Sequence, residues 1–123
     1  MPNDTKTICE RAIKHILQQG TLAYDTKEEI CKLRTDNGLS CAVGGVISDE
    51  HYHPVMELGA NPQKSNRTRD AIIASNPDLT LGPEAWPALQ TLQQCHDDAD
   101  DVEDFVSDAK TSLAAHHGIT VTL

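Results

Sequence analysis

Three residues carry the types that thiol chemistry needs: Cys41, His96 and Asp97. A cysteine at the start of a helix has its thiolate stabilised by the helix dipole. A histidine can take its proton, and a carboxylate can orient the ring. In that reading the chain is a cysteine-dependent hydrolase or transferase, with Cys41 as nucleophile and His96 as base. The spacing counts against it. Asp97 directly follows His96, so on a helix the two side chains leave the axis about 100° apart. The run Cys41-Ala42-Val43-Gly44-Gly45-Val46-Ile47 is small and apolar. It favours Cys41 as a buried packing residue, with His96 bonding a backbone carbonyl at the core edge.

Cys41, His51, His53, Cys95 and His96 also hold enough sulfur and nitrogen for a zinc site. No Cys-x-x-Cys or His-x-x-x-His pair brings two of them together, and His51 and His53 share a face only in a strand. They read as surface loop histidines, and the expectation is no metal and no cofactor. The sequence has no phosphate-cradling glycine loop, nucleophile elbow or kinase signature.

The densest chemical signal is acidic. Asp97, Asp98, Asp100, Asp101, Glu103, Asp104 and Asp108 place seven carboxylates in twelve residues with no base among them. No calcium-loop pattern of glycine and closing glutamate fits the run. Net charge is −9, and the two parts of the chain share it unequally. Residues 1–70 hold 10 acids and 9 Lys or Arg, whereas residues 71–123 hold 9 acids and Lys110 alone. Such a surface repels nucleic-acid backbones and attracts basic partners. If residues 97–108 form one continuous helix, Asp97, Asp101, Asp104 and Asp108 share a stripe. Lys64, Arg67 and Arg69 are the one basic cluster, read as a solvated helix face.

The elements that must position these groups are helical. The 123 residues suit a single domain (1–123), with a core of Leu, Ile, Val and Ala because aromatics make up only 3%. Ile8, Ala12, Ile13, Ile16 and Leu17 form a helical stripe, capped at Thr5 or Thr7 and closed by Gly20. Lys27 to Ile30 suggests a helical turn. Asn37-Gly38 predicts a tight turn in a small hairpin between Cys31 and Cys41. A short buried helix is expected from an N-cap at Ser40, with a further turn from Pro54 to Gly59. Lys64 to Ser75 reads as a helix with Ala71, Ile72 and Ala74 near the core. From Ala88 the stripe Leu89, Leu92, Cys95 or His96, Ala99, Val102, Val106, Ala109, Leu113 runs to His117. It is broken near Asp98–Asp100, with Asp98, Asp100 or Asp101 as the next N-cap. The tail from Ile119 adds a strand or packs down. The fold class is therefore mainly α: four to six helices with a minor β-hairpin. No apolar run spans a bilayer and the N-terminus lacks an export signal, so a cytoplasmic location with reduced thiols is expected.

The pattern Gly-Leu-x-Cys-Ala-Val-Gly-x-x-Ile-x-Asp-Glu-x-Tyr-x-Pro-x-Met-Glu, from Gly38 to Glu57, resembles one found in small uncharacterised proteins of bacteriophages and prophages. The later segment from Leu89 to Asp97, with Leu-Gln-x-x-His-Asp at its end, agrees with it. Gly45 and Ser48 depart from that pattern, where cysteine and proline are common. The resemblance implies a phage-type accessory protein. With the charge split, it leads to the expectation of a non-enzymatic protein that binds and inhibits a host protein, such as a defence component. The acidic C-terminal face would meet a basic partner surface. A small-molecule sponge with a cleft along Gly44-Gly45 is a further alternative.

Overall fold

The computed structural model describes residues 4–22, 24–25, 30–31, 39–53 and 65–122. Among them the chain is mainly helical, with four α-helices: α1 (Thr5–Gln19), α2 (Asn66–Ser75), α3 (Ala85–Asp98) and α4 (Val102–His117). Gly44–Val46 and Asp49–His51 form single 3-10 turns. Strands β1 (Tyr24–Asp25) and β2 (Ile30–Cys31) pair antiparallel, two residues to a side. Ile30 is thus extended, where a helical turn was expected. The Asn37-Gly38 turn and the Pro54–Gly59 turn lie outside the described residues. No described helix is long and apolar enough to cross a membrane.

Helix α1 is the hub. Ile8, Cys9, Ala12, Ile13 and Ile16 are fully buried, on the stripe expected from their spacing. Leu17, expected on that stripe, is 44% exposed. Gly20 ends the helix at φ 80, a left-handed position that glycine adopts without a Cβ penalty. The N-terminus departs from expectation. Thr5 is the first helical residue and is buried, while Asp4 sits at the cap position without a side-chain cap bond. Its carboxylate instead accepts a hydrogen bond from the Thr80 backbone N–H at 2.6 Å, tying the start of α1 to the α2–α3 connection.

Helix α2 begins where Ser65 accepts from the Thr68 N–H. It buries Thr68, Ala71 and Ile72, whereas Ala74 faces outward. The break at Asn76-Pro77-Asp78 is a structural joint. Asn76 is buried; its side-chain amide donates to the Val46 and Ile72 carbonyls at 2.9 and 2.8 Å, and its oxygen accepts from Arg11 at 2.8 Å. Arg11 also pairs with Asp78.

Helices α3 and α4 form an antiparallel pair packed on α1. Their inward residues are Ala88, Leu89, Leu92 and His96, facing Phe105, Ala109 and Leu113. Where the stripe allowed Cys95 or His96, the imidazole takes the inward position and Cys95 is half-buried. Gly118 closes α4 at φ 64, and the Ile119 N–H bonds back to the Leu113 carbonyl at 3.0 Å. The tail packs down as an irregular strap: Ile119 is buried, and Thr122 donates through its N–H and hydroxyl to the Glu10 carboxylate.

Candidate functional site: the acidic turn between α3 and α4

The expected break falls at Ala99–Asp101. Asp101 is the N-cap of α4, its carboxylate accepting from the Asp104 N–H at 2.8 Å. The break removes the continuous stripe suggested for Asp97, Asp101, Asp104 and Asp108. Asp97 and Asp98 close α3, Asp100 and Asp101 lie in the turn, and Glu103, Asp104 and Asp108 stand on α4. All seven are exposed. Among the described residues none of the seven has a lysine or arginine within salt-bridge reach.

Physical roles divide the seven. Asp101 caps α4, and Glu103 and Asp104 lie in its first turn, where negative charge complements the helix dipole. Asp97 and Asp98 sit at the C-terminal end of α3, where the dipole disfavours them. Gln93 and Gln94, one turn back, donate side-chain amides to Asp97 and Asp98 at 2.8 and 3.0 Å. Such bonds stabilise a helix by only about 0.2–0.5 kcal/mol each. Asp100 and Asp108 have no cap or first-turn role. Local helix energetics therefore account for three acids and leave four.

Asp97, Asp100, Asp101 and Glu103 rim a cleft of about 650 Å³ between the end of α1 and the α3–α4 turn. Leu22, Ala99 and Val102 supply apolar lining, and His96 contributes from within. His96 lies edge-on to Phe105, with ring centroids 6.0 Å apart. Its Nδ1 is 3.4 Å from the Asp97 carboxylate, so the adjacent residue does reach the ring despite the angular offset. Gln93 extends this group to the central stretch, accepting from the Val43 N–H at 3.1 Å. The pairing of Gln93 with Asp97 was readable as an i,i+4 spacing; its reach to Val43 was not. Asp98 and Asp108 face the other side, in a smaller cleft of about 320 Å³ with Cys95, Ser112 and His116.

Cys41 does not line this cleft. It is 1% exposed, belongs to the hydrophobic core, and its Sγ accepts from the Gly44 N–H at 3.4 Å. The segment after it is a turn and a 3-10 turn rather than an α-helix, so the thiol does not sit at the start of an α-helix as expected. Ser40 is not a helix cap. Its backbone N–H and carbonyl are both bonded by the Gln19 side-chain amide, at 2.8 and 3.0 Å. Gly45 is explained by packing: a Cβ there would lie 2.5 Å from Cδ2 of His15. Gly45 also lines a cleft of only about 180 Å³, beside Ser48, Ser75 and Arg11. His51 and His53 are exposed. Among the described residues no three His, Cys, Asp or Glu side chains converge as a metal site.

Burial pushes the Cys9 thiol up to about 12, with the Glu10 charge adding to it. Burial also raises Cys95; the Asp108 and Asp98 charges add, and a hydrogen bond with Ser112 opposes. Neither environment prepares a thiolate. Comparisons with protein-family models, curated proteins and solved structures gave no significant match.

Proposed function

We propose that this chain is a non-enzymatic binding protein that docks on, and inhibits, a protein with a basic surface through the acidic α3–α4 corner. The observation that carries the reading is the exposure of seven carboxylates with no lysine or arginine partner among the described residues, four of them outside the cap and first turn of α4. Unneutralised surface charge raises the rate and selectivity of association with an oppositely charged surface. The cleft rimmed by Asp97, Asp100, Asp101 and Glu103 has the chemistry for a guanidinium or ammonium group, with apolar lining for its aliphatic stem. The phage-type pattern around Cys41 makes a cytoplasmic host protein, such as a defence component, the partner class we favour. The same charge disfavours direct nucleic-acid binding.

The test is affinity capture from bacterial lysate with the native chain and with an Asp97→Lys/Asp101→Lys/Asp104→Lys variant as baits, each at low and high salt. The expected result is a captured basic protein that the native bait loses at high salt and the variant fails to hold. Equal recovery by both baits removes the proposal. The thiol-enzyme alternative is disfavoured by Cys41 packing in the core, while the cleft that holds His96 is lined by carboxylates.

A further inference from the structure

We draw no further inference here: the strongest candidate, the acidic cleft between the end of α1 and the α3–α4 turn, belongs to the site already described and rests on clustered carboxylates alone, with no second observation that names a ligand.

Discussion

Asn76 shows how much one buried polar side chain can hold together. It bonds the carbonyls of Val46 and Ile72 and the guanidinium of Arg11, so it joins the central segment, α2 and α1. Removing a partner leaves buried acceptors unsatisfied, which costs more than the net value of the bond. Asn76→Ala is expected to lower unfolding free energy by about 2–3 kcal/mol in a denaturant titration. A loss within experimental error would show that the joint is not stabilising. Gly45 makes the opposite point, since what matters there is the missing side chain. Gly45→Ala would drive a methyl into the His15 ring, with an expected loss of about 1–3 kcal/mol. Adding His15→Ala should recover most of it, and a strictly additive double mutant would refute the contact. The thiols follow burial in the same way. Iodoacetamide at neutral pH should label Cys9, Cys41 and Cys95 more slowly in the native protein than in the unfolded chain, as read by peptide mass spectrometry. Cys41 reacting faster than a simple thiol would reopen the enzyme reading.

At the scale of elements, the α3–α4 turn combines a structural and an electrostatic task in Asp101, and the two are separable. Asp101→Asn keeps a good N-cap and removes a charge; Asp101→Ala removes both. The alanine variant should lose about 1 kcal/mol of stability and the asparagine variant much less, by thermal or denaturant unfolding. The C-terminal strap has its own pH response. Burial raises the Glu10 carboxyl, but hydrogen bonds from Thr122 and the charges of Lys6 and Lys14 outweigh it and hold the group below its ordinary value near 4.5. A depressed acid stabilises the fold above its unfolded value and loses that contribution as pH falls through its folded value. Amide exchange at Thr122 should therefore remain protected above about pH 4.5 and lose protection as pH falls through the lower folded value of Glu10. Protection unchanged by Glu10→Gln would contradict this account. These elements also show what the sequence made legible. The α1 stripe, an aspartate cap among Asp98, Asp100 and Asp101, the glycine stops and the α3–α4 break follow from spacing and local chemistry. The caps expected at Ser40 and at Thr5 or Thr7 do not, because local preference suggests them and contacts far along the chain decide them. Ser40 lost its cap role to the Gln19 amide, 21 residues away. Thr5 went into the core while Asp4 turned to Thr80, and of the two residues the stripe left open, packing put His96 rather than Cys95 inside.

At the scale of the whole molecule, charge and fold divide the labour. The aliphatic core sits between α1, α3 and α4, and the acids gather at the corner where α3 meets α4. The charge split was visible in the sequence. The separation of the seven acids around a turn follows from the expected break; which of them rim the cleft beside the end of α1 does not, because that depends on packing between elements far apart in the chain. The account's central claim is that the four acids outside the cap and first turn of α4, Asp97, Asp98, Asp100 and Asp108, are there for a basic partner. It is tested most directly by measuring the Kd of the captured partner against the native chain and against a variant carrying Asn at those four positions, across a salt series. Asparagine keeps shape and removes charge. If each charge contributes about 0.5–1 kcal/mol, the four together contribute about 2–4 kcal/mol, and the account predicts roughly 30- to 900-fold weakening at low salt. The difference between the two proteins should shrink as salt rises. An unchanged Kd for a variant that still folds would contradict it.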